Sequence, residues 1–210
     1  MTRSSRYWRS ARSAAVAAAW MIFATAPAVS QGDGETKVFE NTRYNFTVAL
    51  PAGCRHDEGP GTIDAICSAD LDPKESATAN KVSALVLQVS AETVADDAGR
   101  TASELAQQYG ETAFKSEVPE VVCGEPDGAR VKVENVKAVL EVARVVYTAD
   151  VVCSEIRFLQ IGERRASVRF LIGPAARYRL VARAPADAFS SQKALIDAFF
   201  ASFDVTPAGR

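Results

Sequence analysis

The chain has 210 residues, with 24 lysines and arginines against 26 acids, a formal net charge of −2, and 48% hydrophobic residues. Enough apolar side chains are present for a packed core, which excludes a disordered or fibrous chain. A net negative charge makes the chain a poor candidate for nucleic-acid binding.

The first segment reads as an export signal. Arg3, Arg6, Arg9 and Arg12 occur without any acid, an apolar run follows from Ala14 to Ala24, and Thr25-Ala-Pro-Ala-Val-Ser30 supplies small residues. Basic, then apolar, then small is the order of a secretory signal. Residues 1–30 are expected to be removed after Ser30, with cleavage after Ala28 the alternative. The apolar run of about eleven residues is short of the ~20 that a spanning helix needs. No transmembrane span is therefore expected after cleavage. The absence of an Arg-Arg pair in the basic region favours the general export route over the one for folded proteins. The expected destination is the bacterial periplasm or the outside of the cell.

The remainder reads as one domain over residues 31–206 and a polar tail over 207–210. Residues 31–36 are Gly- and acid-rich and read as a loose start. Tyr44, Phe46, Val48 and Leu50 alternate with polar neighbours, the pattern of a half-buried strand stopped by Pro51. Cys54–Pro60 reads as a loop, Thr62–Ser68 as a short strand and Asp70–Asn80 as another loop. Val82–Val89 is apolar on both faces, as a central strand is, and Glu92–Gly99 reads as a turn. Thr101-Ala-Ser-Glu104 is a capping box and opens a helix over Ala102–Phe114, with Leu105, Tyr109 and Phe114 on its buried stripe. Pro119 ends it. Extended segments are expected at Val121–Cys123, Ala129–Val136, Arg144–Cys153, Glu155–Ile161, Ala166–Ile172 and Arg177–Ala184. Residues 136–143 fit a helix as well. A final amphipathic helix carries Leu195, Ile196, Phe199, Phe200 and Phe203. Strands, one helix, more strands and a last helix argue for an α+β fold with a mainly antiparallel sheet.

No catalytic set is visible. His56 is the only histidine, so any Ser-His-Asp or Cys-His site must use it. A two-histidine zinc motif is impossible, and no phosphate-binding Gly-rich loop with its lysine occurs. His56-Asp57-Glu58 and the acid pairs Asp70/Asp72 and Asp96-Asp97 lack metal-loop spacing. The expectation is a non-enzymatic protein without metal or cofactor.

Cys54, Cys67, Cys123 and Cys153 make an even count, which favours two structural disulfides in an oxidising compartment. Of the three possible pairings, Cys54–Cys67 and Cys123–Cys153 close the shortest loops. No Cys-x-x-Cys is present for redox work.

Charge divides unevenly after the signal. Residues 31–128 hold 18 acids and 7 bases, whereas 129–210 hold 8 acids and 13 bases. A basic sheet face on the C-terminal half, with Arg157, Arg164, Arg165 and Arg169 foremost and Arg177, Arg179 and Arg183 beside them, suits an anionic partner. The functional expectation is an exported binding or accessory protein, monomeric, whose partner is a protein or an anionic envelope component. A small-ligand or metal-binding periplasmic protein is the alternative.

Tyr44-Asn-Phe-Thr-Val-Ala-Leu-Pro51 and the terminal strand–helix Arg177–Phe203, ending in Phe200-Ala-Ser-Phe203, resemble the PsbP-like family at the two ends of the exported chain. That resemblance implies an α-β-α sandwich, a central antiparallel sheet with helices on both faces. It also implies an adaptor or accessory role without a catalytic centre.

Overall fold

Alternation of apolar side chains builds this molecule. Strand residues point by turns to opposite faces, and each face of the sheet collects its own core. The structure is a computed structural model that describes residues 36–51, 55–57, 63–70, 84–94, 97–124, 130–157 and 160–206, with side chains outside 52–84 and 155–161. The described residues fall in one compact unit, Asp33–Arg210.

The main sheet is antiparallel throughout. It contains β3 (Arg55–Asp57), β4 (Ile63–Asp70), β5 (Ala84–Thr93), β6 (Val131–Leu140), β7 (Val145–Arg157), β8 (Gln160–Ile172) and β9 (Ala176–Pro185). Its spatial order is β3-β4-β5-β9-β8-β7-β6, and a second sheet runs β1-β2-β10 from β1 (Lys37–Asn41), β2 (Phe46–Leu50) and β10 (Asp204–Val205). Three helices complete it: α1 (Ala102–Val118), the single turn α2 (Ala186–Phe189) and α3 (Lys193–Ser202).

One face of the main sheet is covered by α1. Leu105, Phe114 and Val118 of the helix meet Val145, Tyr147, Ala149 and Val151 of β7, Val168 and Phe170 of β8, and Val181 of β9. Phe114 stacks on Tyr147 at 5.2 Å and meets Phe170 edge-on at 5.1 Å. The Thr101–Glu104 capping box forms in full, satisfying two of the helix's orphan N–H groups. At Gly110 (φ 62°) the helical path is interrupted, a backbone state that glycine reaches without Cβ strain. Pro119 does not stop the chain from turning. Its missing N–H costs nothing at the first position of a new turn, and Pro119–Cys123 forms a π-helical turn that Gly124 closes in the left-handed conformation. The extended reading of Val121–Cys123 is corrected accordingly.

The opposite face is covered by α3 and the small sheet. Ile196, Phe199 and Phe200 pack with Phe46, Val48 and Leu50 of β2 against Leu85, Leu87 and Val89 of β5 and Leu180 and Ala182 of β9. A ten-residue helix is marginal alone, and burying these three side chains stabilises it by about 1.5–3 kcal/mol each. Ser202, just before the last aromatic, accepts the Ala49 N–H at 3.0 Å and donates to the Phe199 carbonyl at 2.8 Å. Phe203 lies 5.5 Å from both Phe46 and Tyr178.

Several expected boundaries shift. Glu155–Ile161 is not a separate strand: β7 runs on to Arg157 and β8 begins at Gln160, paired as one hairpin down to Arg157↔Gln160. Residues 136–140 are strand rather than helix, because pairing with Val145–Thr148 of β7 satisfies their backbone across a bulge at Glu134/Lys137. Residues 55–57, expected as loop, pair with β4. The strand read from Arg43 begins at Phe46, because Asn45 is left-handed (φ 52°) in the preceding turn. The unexpected β1 and β10 flank β2.

Candidate functional site: a polar cleft on the open half of the sheet

The core beneath α3 lies mainly on β5 and β9 and reaches Val146 of β7 and Leu171 of β8. Further along, the same face carries polar residues: Thr148 and Asp150 on β7, Arg165, Ser167 and Arg169 on β8, and Lys137 on β6. A cleft of about 300 Å³ lies here, lined by Asn135, Lys137, Thr148, Asp150, Ser167, Arg169 and the Phe200 ring of α3.

Arg169 and Asp150 are each anchored by neighbours. Arg169 donates Nη1–H to the Phe200 carbonyl at 2.9 Å, and its guanidinium lies 5.2 Å from the Phe200 ring centre. Its pKa is lowered, first by burial and then by the Arg144 charge, with Glu141 opposing. Asp150 accepts from Ser167 Oγ at 3.1 Å and from Asn135 Nδ2 at 2.9 Å. Asn135 stands at the bulge of β6 with φ 53°. Asparagine tolerates this conformation better than most residues, and bulges commonly re-aim a side chain at a functional site.

The arginines expected to share one face do not. Arg165 and Arg169 share the α3 face with the cleft, whereas Arg164 sits opposite Cys153, whose side chain belongs to the α1 face. Adjacent strand residues cannot point the same way. Arg157 is placed opposite Gln160 at the hairpin end, and its side chain lies outside the described residues. Arg177, Arg179 and Arg183 of β9 face α1 and are taken up there. Arg177 binds Asp97 at 2.9 Å and lies over the Tyr109 ring at 5.4 Å. Arg179 binds Glu92 at 2.8 Å and also Glu117. Arg183 donates to the Val122 carbonyl at 2.9 Å. Burial disfavours the Arg179 charge, but Glu117 and Glu92 outweigh it and raise the pKa. Tyr109, buried and hydrogen-bonded to Glu117, has its hydroxyl pKa raised.

Cys123 and Cys153 are joined by a disulfide with Cα atoms 5.8 Å apart, tying the turn after α1 to β7. Cys54 and the side chain of Cys67 lie outside the described residues, and with them the other expected bridge.

A second, mostly apolar cleft of about 670 Å³ opens at the loop end of the sheet, between the β6–β7 and β8–β9 turns, Tyr44 and Val205. Beside it Val139, Leu140 and Val142 are exposed.

Asn135, Lys137, Thr148, Asp150, Ser167 and Phe200 were not singled out from sequence. The signal available was the alternation in Arg165-Ala-Ser-Val-Arg169 and Thr148-Ala-Asp150, polar residues on one face with apolar ones between. Among the described residues no group of three or more His, Cys, Asp or Glu is arranged to hold a metal ion. No helix among them is long and apolar enough to cross a membrane.

By sequence the chain matches no protein-family model and no curated protein. Among solved structures, LpqN, involved in cell envelope biogenesis of Mycobacterium tuberculosis, aligns with a TM-score of 0.49 and 9% identity over 83% of this chain and 92% of that one. The solution structure of cyanobacterial PsbP (CyanoP) from Synechocystis sp. PCC 6803 aligns with a TM-score of 0.52 and 16% identity, over 84% of this chain and 96% of that one. The likeness read at the two ends of the sequence thus extends across the domain, and the fold is PsbP-like, an antiparallel sheet with helices on both faces.

Proposed function

We propose that this chain is an exported, non-enzymatic binding protein of the bacterial periplasm, an accessory to a larger envelope component. The observation that carries this reading is the polar part of the face beside α3, where Lys137 and Arg169 line a cleft and Arg165 lies further along the same face of β8. On the α1 face, by contrast, Arg177 and Arg179 are paired with acids of the fold beneath cover. Cations left available on a concave surface suit an anionic group on a partner. The exposed Val139, Leu140 and Val142 on the neighbouring hairpin add apolar area of the kind that marks interaction surfaces. The export signal read in residues 1–30 and the even cysteine count support the periplasmic setting. The single histidine of the sequence and its lack of a recognisable catalytic motif support a binding role.

The test is chemical cross-linking in intact cells, followed by fractionation. The wild-type protein is expected to form a discrete cross-linked species, which the combined Lys137→Ala, Arg165→Ala, Arg169→Ala variant loses while keeping its thermal midpoint. A species of unchanged intensity in that variant refutes the assignment of the surface.

A further inference from the structure

We infer that the cleft at Arg169 binds a small zwitterion, with an ammonium and a carboxylate on one carbon, as in an α-amino acid. The inference deepens the binding role proposed above and rests on it.

The carrying observation is a pair of opposite charges that share the cleft and do not pair with each other. Asp150 is directly opposite Ser167, and Thr148 directly opposite Arg169, on the same face of β7 and β8. Asp150 and Arg169 are therefore diagonal neighbours, about 7–8 Å apart. Each is held back by partners of its own. Asn135 and Ser167 donate to the two oxygens of Asp150 at 2.9 and 3.1 Å, and the Phe200 carbonyl takes one N–H of Arg169 at 2.9 Å. No direct contact between Asp150 and Arg169 is present among the described residues.

Both groups keep unused capacity. An ionised carboxylate has about four lone-pair positions, and Asp150 uses two; a guanidinium has five N–H groups, and Arg169 uses one. A ligand ammonium completes Asp150, and a ligand carboxylate takes the remaining fork of Arg169 in a charge-assisted pair. A ligand that carries both charges engages both groups at once. Thr148, which lies between the two charges, offers a hydroxyl, and Lys137 reinforces the anion side. An anionic group alone engages Arg169 and leaves Asp150 uncompleted, and a cation alone does the reverse. A volume of about 300 Å³ is at the small end of ligand sites, which limits the side chain of the ligand to a modest size.

The test titrates the purified protein with glycine, L-alanine, acetate and methylammonium, read by calorimetry and by amide shifts of Asp150, Ser167 and Arg169. The expected result is saturable binding of at least one amino acid, with acetate and methylammonium at least ~10-fold weaker. Asp150→Asn and Arg169→Gln are each expected to weaken amino-acid binding by ~10-fold or more with an unchanged thermal midpoint. Acetate bound as tightly as the amino acids, binding that survives both substitutions, or no saturation up to the order of 10 mM overturns the inference. Should no zwitterion bind while the triple cationic variant still loses its cross-linked species, only this inference falls. Should the cross-linked species also be unaffected, the binding role itself falls.

Discussion

Strands β8 and β9 lie side by side, and both are rich in arginine, yet their arginines have opposite fates. On the α1 face, Arg177, Arg179 and Arg183 are covered, and each finds a fixed partner in Asp97, in Glu92 and Glu117, or in the Val122 carbonyl. On the α3 face, Arg165 pairs only with its exposed strand neighbour Glu163 at 3.3 Å, and Arg169 is held by a single carbonyl at the rim of a cleft. The difference lies in what the covering helix brings. Helix α1 carries Glu117 and Tyr109 over its strands; α3 presents apolar residues to the sheet, Ile196, Phe199 and Phe200. A sheet cation becomes part of the architecture where the covering layer and the neighbouring strand together supply its partners, as Glu117 and Glu92 do for Arg179.

This contrast predicts graded effects. The largest belongs to the crosslink that closes the α1 face. Replacing Cys123 and Cys153 together by alanine removes a closed loop with a sequence separation of 30, with an expected loss of about 3–4 kcal/mol in denaturant unfolding. A loss below ~1 kcal/mol means that this face is held by packing alone.

Next comes the network beneath α1. Arg179 is 16% exposed, and Glu92 and Glu117 are 35% and 23% exposed. Arg179→Ala leaves those two carboxylates without their shared cation. Breaking a fully buried pair costs about 3–5 kcal/mol, and the partial exposure here reduces the expected loss to about 2 kcal/mol. Restoring most of the stability with Glu92→Gln and Glu117→Gln in the same chain confirms that the cost is electrostatic. If instead the double glutamine change leaves the deficit intact, lost packing of the arginine stem is the cause.

A smaller effect is local to the start of α1. Thr101→Ala removes the N-cap and is expected to lower stability by about 1 kcal/mol. Its partner Glu104 has a lowered pKa, first because it accepts the Thr101 backbone N–H and then through the Thr101 hydroxyl. A depressed carboxyl pKa contributes stability that is present above the ordinary glutamate range and lost as pH falls through the folded-state value. The gap between wild-type and Thr101→Ala midpoints should therefore narrow only in part on acidification, by the share of the Thr101 hydroxyl bond to the carboxylate, because the Glu104 N–H to Thr101 Oγ bond does not titrate. A gap that stays constant down to low pH contradicts the capping-box assignment.

The strongest sequence signals were those that physics repeats locally. The capping box, the stripe of α3 and the alternation of Phe46, Val48 and Leu50 each involve residues a few positions apart, so period and spacing reveal them. The two segments that carry the PsbP-like resemblance also meet in space: Ser202 binds the backbone of Ala49, and Phe203 packs on Phe46. A short apolar motif at each end reads as a fold signal because the two motifs are one packing unit. The site was less legible. That Arg164 and Arg165 point apart follows from parity alone, but which of the two faces is open depends on where α3 ends over the sheet. Asp150 meets Ser167 through the β7–β8 register, which runs from Val145↔Ile172 to Arg157↔Gln160. Reading two strands at Arg144–Cys153 and Glu155–Ile161 hid that register, and with it the cleft. Val121–Cys123 was read as extended because Pro119 is a helix breaker in the interior, whereas here it starts a turn.

The smallest predicted effect is also the sharpest probe of the contrast. Arg165 is 52% exposed in its pair with Glu163, itself 45% exposed. An exposed pair of this kind contributes about 0–0.5 kcal/mol, because solvent screens the attraction and two side chains must be ordered to make it. Arg165→Ala should therefore leave the unfolding midpoint within error while contributing to the loss of cross-linking in the cationic variant. Arg179→Ala on the other face should do the reverse, lowering the midpoint and leaving cross-linking per folded molecule unchanged. If Arg165→Ala instead costs more than ~1 kcal/mol, the residue is bound into the structure in the manner of Arg179. The α3 face over β6–β8 would then be as closed as the α1 face, and the open half-face on which the binding role rests would not exist.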